Sequence, residues 1–211
     1  MAEHRIIKLF PTPLFIADYE DDLSEEINFI EGLGYREQTG IDNLKSAHTY
    51  LLEHKELANL KKFFYQNLKI YVDKIYGSNQ ELFITQCWAN RNPKGTAHTR
   101  HIHINSIVSG VFYLRQDRLM PPIIFNKEDK FSFRLYPDPK RRNEYNTDYC
   151  SLSCKAGNLI LFPSSLWHHV PQNTQQGERL SLSFNTFSDM IGSETELTLL
   201  DVKKMIKEKE C

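Results

Sequence analysis

From Gln80 to Phe187 the chain has no stretch of helical spacing, which rules out an architecture of alternating strands and helices. Eight short segments rich in β-branched and aromatic residues follow one another instead: Leu82–Trp88, Ile102–Leu114, Pro122–Phe125, Phe131–Tyr136, Tyr149–Cys154, Asn158–Phe162, Trp167–Val170 and Arg179–Phe187. Turn chemistry separates them, at Asn92-Pro-Lys-Gly, Pro121-Pro, Asp138-Pro, Ala156-Gly-Asn, Phe162-Pro-Ser-Ser and Thr174-Gln-Gln-Gly. Such a series predicts a β-sandwich or barrel. Its last member is the most demanding. Side chains alternate along a strand, so Arg179, Ser181, Ser183 and Asn185 face one way and Leu180, Leu182 and Phe184 the other. An arginine and two serines on one face of an otherwise apolar strand are costly to bury unless an anion meets them. That face suits a bound carboxylate; the alternative is a salt bridge to an acid of the protein itself.

The residues before this region read as support. Ile6–Ala17 is an edge strand interrupted by Pro11 and Pro13. Asp22–Leu33 is a short helix that Asp21 or Asp22 could cap, and residues 34–50 are irregular. Leu57, Leu60, Phe64, Leu68, Tyr71 and Ile75 lay one apolar stripe along a helix over Lys55–Tyr76, which Gly77-Ser-Asn stops. Pro137–Asp148 is a polar loop with the length of a lid, and the tail from Glu194 reads as a frayed, solvated helix. One domain over 1–211 accommodates all of this, with 1–80 as N-terminal strand and helices, 81–190 as β-core and 191–211 as tail.

Five of the eight histidines fall in the windows His98–His103 and His168–His169, tighter than packing alone would place them. Residues i and i+2 of a strand share a face, so His101 and His103 project together while Ile102 and Ile104 enter a packing layer. Taken alone, the His-x-His pair reads first as an exposed pair on a strand. The second window and the Arg179 face turn the balance toward a metal site with open positions. Iron(II) suits such a site for oxygen chemistry and zinc suits imidazole equally well, so spacing does not separate them.

The formal net charge of −1 argues against binding duplex nucleic acid, which needs clustered positive charge. The one basic knot, Pro139-Lys-Arg-Arg142, reads as a solvated loop or a substrate-docking patch. Cys87, Cys150, Cys154 and Cys211 show no CxxC pair and are expected as reduced thiols, with a metal role for Cys150 and Cys154 as the lesser reading. No leader and no run long enough to span a bilayer is visible, so a soluble, cytoplasmic protein is expected, monomeric or weakly dimeric.

At these residues the chain resembles the iron(II)/2-oxoglutarate-dependent oxygenases, and most closely a small bacterial and phage group of them. The resemblance rests on Leu9-Phe-Pro-Thr-Pro-Leu14, Trp88-Ala-Asn90, His101-Ile-His-Ile-Asn-Ser-Ile-Val-Ser-Gly-Val-Phe-Tyr-Leu114, Phe162-Pro-Ser-Ser-Leu-Trp-His168 and Arg179-Leu-Ser-Leu-Ser-Phe-Asn185. It implies a double-stranded β-helix, or jelly-roll, that binds iron(II), 2-oxoglutarate and O2 and hydroxylates a C–H bond with decarboxylation of 2-oxoglutarate to succinate. It implies His101 as the first ligand and His168 as the distal one, since the group's HxV pattern falls on His168-His169-Val170. Arg179 and Ser181 match the grip on the far carboxylate of 2-oxoglutarate, Asn90 and Tyr113 its near end, and Asn105 the substrate side. His98 and His169 are fallback ligands. One departure stands out. The wider superfamily carries Asp or Glu where this chain has His103, so either three neutral imidazoles hold the metal or water takes the third place.

Two rival readings accompany this one: a three-histidine cupin dioxygenase that uses no 2-oxoglutarate, and a non-enzymatic jelly-roll with structural zinc, which needs a fourth ligand. The oxidised substrate is open between a peptidyl side chain, a free amino acid or other small metabolite, and a modified nucleobase.

Overall fold

The computed structural model describes residues 3–37, 40, 42–128, 139–202 and 204–205. The segment Phe131–Tyr136, expected as a strand, and Cys211 lie outside the described residues. In chain order the elements are β1 (Phe15–Asp18), α1 (Ser24–Glu31), β2 (Tyr35–Arg36), β3 (Leu44–Ser46), α2 (Ala58–Tyr71), β4 (Leu82–Asn92), β5 (His98–His101), β6 (Val108–Arg115), β7 (Ile123–Asn126), β8 (Tyr149–Leu152), β9 (Asn158–Pro163), β10 (His168–Val170), β11 (Arg179–Ser188), β12 (Met190–Ile191) and β13 (Leu200–Asp201). A seven-stranded sheet runs β1-β9-β6-β11-β4-β3-β2 and a four-stranded sheet runs β5-β10-β7-β8. All their pairings are antiparallel. This is the jelly-roll sandwich the sequence predicts.

Strand parity divides the molecule into two cores. One face of the large sheet presents Cys87, Ala89, Phe112, Leu114, Leu159, Leu161, Leu180, Leu182 and Phe184 to the helices, all buried. From α2, Leu60, Phe64, Leu68 and Tyr71 meet them, and the Phe64 ring stacks on Phe184 at 4.9 Å between centroids. Each such side chain contributes roughly 1.5–3 kcal/mol by leaving water. The other face turns Val111, Tyr113, Ile160 and Phe162 toward Ile123 and Phe125 of the small sheet. That inner core fills only part of the space between the sheets. The remainder of the inner face is polar, and the histidines lie over it.

Several local expectations change. Only Phe15–Asp18 of the opening segment pairs, because Pro11 and Pro13 have no N–H to donate to a ladder. The first helix starts behind Leu23 with no side-chain cap, because Asp22 Oδ1 accepts from Ser24 Oγ instead. The long helix loosens at Val72–Tyr76 into a π-helical turn that ends at Gly77, whose φ of 59° is the left-handed stop the sequence predicts. Residues 34–50, expected to be irregular, supply β2 and β3, which extend the large sheet beyond β4. In the tail, Leu200–Asp201 pairs with Met190–Ile191 rather than entering a helix. The basic residues Lys140, Arg141 and Arg142 are exposed. Among the described residues, no helix is long and apolar enough to cross a membrane.

The one close approach that the packing of α2 depends on is at Gly110, where an added methyl group would enter the Phe184 ring. Gly110→Ala is therefore expected to destabilise the fold by about 1–3 kcal/mol or more. Urea denaturation checks this, and an unchanged midpoint would contradict the packing described.

Candidate metal centre

His101 ends β5 and His168 opens β10, and the two are direct cross-strand partners. Their rings lie 4.3 Å apart between centroids. His103 comes from the turn that follows β5 rather than from a strand. The expected strand over Ile102–Leu114 is broken, with Asn105 at a φ of 62° and pairing resuming at Val108. The break has a cause in hydrogen bonding: His103 N donates to Ser164 O at 2.9 Å and Ile107 N to Thr186 O, both outside a ladder. Ile104, expected in a packing layer, is accordingly 78% exposed. His103 still reaches His168, by a turn instead of by strand parity.

Tautomers are set by the backbone. His101 Nδ1 lies 2.7 Å from Thr99 O and His168 Nδ1 lies 2.9 Å from Leu166 O, so each Nδ1 carries the proton and each Nε2 offers its lone pair. His103 Nε2 stands 3.2 Å from His168 Nε2. Two imidazole nitrogens at about 2.1 Å from one cation, in cis positions, are about 3.0–3.4 Å apart, so this pair has the bite of a metal chelate. One ligand atom from each of His101, His103 and His168 lies within 4.8 Å of the others. The three residues therefore fit a divalent cation. Stacking holds two of them: His103 lies 5.9 Å from the Trp88 ring at an interplanar angle of 23°, and Phe162 meets His168 edge-on at 4.8 Å.

The fallback residues stand apart from this group. His169, paired opposite Ile124, turns to the other face, where its Nδ1 lies 3.0 Å from Asn126 Oδ1. His98 packs on His101 at 4.4 Å between centroids but offers no ligand atom to the cluster. Cys150 is exposed and Cys154 is buried beside Tyr113, so neither joins it. Asn105 is exposed on the turn after His103.

Next to the histidines, the inner face of β11 behaves as its alternation predicts. Arg179 lies opposite Asn92, Ser181 between Asn90 and Tyr113, and Ser183 opposite Trp88. Arg179 is 3% exposed, and among the described residues no carboxylate pairs with it. Its Nη1 donates to Asn92 Oδ1 at 3.0 Å and to Ser181 Oγ at 3.3 Å, and the guanidinium sits 4.8 Å above the Tyr113 ring. Arg179 Nε, Asn92 Nδ2 and Tyr113 Oη are buried without a hydrogen-bond partner. Buried donors are normally satisfied, so this group of donors around an uncompensated cation has the chemistry of an anion site. Asn90 is engaged at both ends, accepting from Asn43 Nδ2 and donating to Ser183 Oγ, each at 2.9 Å. Asn92, Asn43 and Lys45 escaped the sequence reading. Asn92 could have been found by extending the strand after Leu82 through Asn92, whereas Asn43 and Lys45 reach the site only through the short strand β3.

Residues 86–185, which span β4 to β11, match the family model described as "Putative 2OG-Fe(II) oxygenase". Over that stretch, a little under half of its length, the chain is similar to the 2OG-Fe(II) oxygenases. Solved structures share the fold. HygX of Streptomyces hygroscopicus, with nickel, 2-oxoglutarate and hygromycin B bound, is 16% identical with a TM-score of 0.59, covering 83% of this chain and 82% of its own. A prolyl-4-hydroxylase of Pseudomonas putida is 14% identical with a TM-score of 0.56, over 82% and 92% of the two chains. The epimerase SnoN from nogalamycin biosynthesis is 12% identical with a TM-score of 0.61, over 85% and 80%. No curated protein matches the sequence.

Burial pulls the His103 imidazole down to about 4 and His168 to about 3, and the neighbouring His101 adds to both falls. His101 is also lowered, chiefly by burial. Folded-state values below the ordinary 6.5 mean that the neutral, ligating forms persist as pH falls past 6.5 and are lost only toward the folded values. Affinity for cobalt(II), followed by its visible spectrum, is thus expected to stay flat from about pH 8 to about pH 6. A steep decline centred on the free-imidazole value would contradict it. His168→Ala should abolish binding in the same titration, and His169→Ala should preserve it.

Proposed function

We propose that this protein is a 2OG-Fe(II) oxygenase, an iron(II)- and 2-oxoglutarate-dependent dioxygenase that hydroxylates a C–H bond. The observation that carries the proposal is the buried, uncompensated Arg179 beside a three-imidazole site. A protein keeps such a cation only where an anion joins it, and 2-oxoglutarate is an anion whose two ends match the two halves of the site.

His101, His103 and His168 would hold the metal through their free nitrogens, and three protein ligands leave room for a bidentate co-substrate and for O2. Iron(II) with 2-oxoglutarate bound supplies oxygen activation: O2 is divided between succinate, formed with loss of carbon dioxide, and the hydroxyl group inserted into substrate. The chain's own residues orient and shield. Arg179 Nε, with Ser181 Oγ, Asn92 Nδ2 and Tyr113 Oη as neighbouring hydrogen-bond groups, receives the far carboxylate. The Asn43–Asn90–Ser183 chain keeps the floor of that site rigid by engaging amides that would otherwise compete for the ligand. Val111, Ile160, Phe162 and Phe125 exclude water from the metal's inner side.

The three-imidazole donor set also favours a second reading, a dioxygenase in which Arg179 grips the carboxylate of the oxidised substrate itself. A closed structural zinc site is disfavoured, since among the described residues the cluster holds three ligands and structural zinc takes four. Succinate release that requires 2-oxoglutarate, iron(II) and O2 is the expected result. Iron binding without such release would favour the second reading. Arg179→Met should raise the 2-oxoglutarate concentration needed for half-maximal release by about tenfold to a hundredfold or more, and an unchanged value would remove Arg179 from the co-substrate site.

A further inference from the structure

Among the described residues, Lys45 is the half-buried lysine whose ammonium lies toward the metal centre. It stands on β3 opposite Asn90, with Nζ 5.1 Å from the centre of the Trp88 ring, the ring that also stacks on His103. Its charge is felt by His98, His101 and His103. Among the described residues no carboxylate lies within ion-pair distance of it. The nearest acid it senses is Asp42, whose two oxygens accept from Thr99 N at 3.0 Å and Thr99 Oγ1 at 3.3 Å. The Trp88 indole, over whose ring the ammonium sits, carries a buried N–H without an acceptor.

This arrangement is costly without an occupant. A half-desolvated ammonium gains something from the face of an indole, but much less than from an anion. The usual carboxylate ligand is also missing, so three neutral imidazoles, Arg179, Lys45 and a divalent metal give the site an excess of positive charge. The far carboxylate of 2-oxoglutarate offsets Arg179, which lies on β11. Lys45 is two strands away in the order β11-β4-β3, beyond Trp88. It is therefore placed for a different molecule.

We propose that Lys45, with the Trp88 indole N–H, anchors a carboxylate of the oxidised substrate, so that this oxygenase acts on a small carboxylic acid rather than on an uncharged internal side chain of a peptide. The inference rests on the oxygenase reading of the same site. Two donors match the two oxygens of a carboxylate, and the Trp88 ring fixes the ammonium so that little side-chain freedom is lost on binding. An internal peptide residue other than Asp or Glu carries no free carboxylate close to the carbon to be oxidised, whereas an amino-acid-like or other acidic metabolite does.

The test uses the full chain, loaded anaerobically with iron(II) and 2-oxoglutarate, titrated with N-acetylglycine and with its uncharged amide. Calorimetry and perturbation of the visible chelate band give the affinities. The acid is expected to bind at least about tenfold more tightly than the amide. Lys45→Met should bring the acid down to the level of the amide while 2-oxoglutarate affinity stays within about twofold, and Lys45→Arg should restore most of the preference. Melting curves show that each variant is folded. Equal or absent binding of acid and amide by the native chain overturns the proposal. So does a fall in 2-oxoglutarate affinity for Lys45→Met as large as the fall for the acid, which would assign Lys45 to the co-substrate. If the native chain forms no chelate band, the oxygenase reading fails instead. The acid-versus-amide comparison on cobalt(II)-loaded protein then still decides the role of Lys45.

Discussion

The arrangement of this molecule turns on one unsatisfied interaction, the buried guanidinium of Arg179. Removing such a charge from water costs several kcal/mol, more than a neutral hydrogen bond returns. The fold offers it only partial relief, from Asn92, Ser181 and the face of Tyr113. On the proposed reading that position is kept open to an anion, and its surroundings fit this. The inner core therefore stops short, the face of β11 stays polar, and the large sheet takes its stability from the opposite side. There Phe64, Phe112 and Phe184 interlock beneath α2.

This division of labour between two faces explains why one sandwich can be both firm and reactive. The helix-side core holds the strands at fixed register, so Arg179, Ser181 and Ser183 stay aligned with Asn92, Asn90 and Trp88. The small sheet then needs only to bring His168 opposite His101 and to pack Phe125 against Phe162. Two backbone carbonyls, of Thr99 and Leu166, orient two imidazoles, and the indole of Trp88 orients the third. Among the described residues no side-chain carboxylate bonds these imidazoles directly. In the proposed centre, an imidazole at position 103 in place of a carboxylate would leave charge balance to bound anions.

Much of this was legible in the chain itself, for identifiable reasons. Alternation is a local property, so Arg179–Asn185 announced its two faces, and the aromatic-rich run after Gln80 announced a sandwich. The histidine windows announced a site. What stayed hidden depended on pairing between distant segments. His103 reaches His168 because Ser164 and Thr186 draw the backbone into a turn, which no spacing rule foresees. Lys45 and Asn43 looked like part of a polar connector, because a three-residue strand such as Leu44–Ser46 has too few residues to show a period and exists only by pairing with β4 and β2. Proline, by contrast, acts locally, and the prolines at 11 and 13 were enough to warn that the opening segment would not pair along its length.

The central claim is that Arg179 and the three imidazoles form one site for a metal-chelating dianion. Anaerobic addition of iron(II) and then of limiting 2-oxoglutarate, watched for the visible charge-transfer band of the chelate, tests it most directly. The band is expected in the native chain, greatly weakened in Arg179→Ala and absent in His103→Ala. A band of full intensity in Arg179→Ala at limiting 2-oxoglutarate would contradict it.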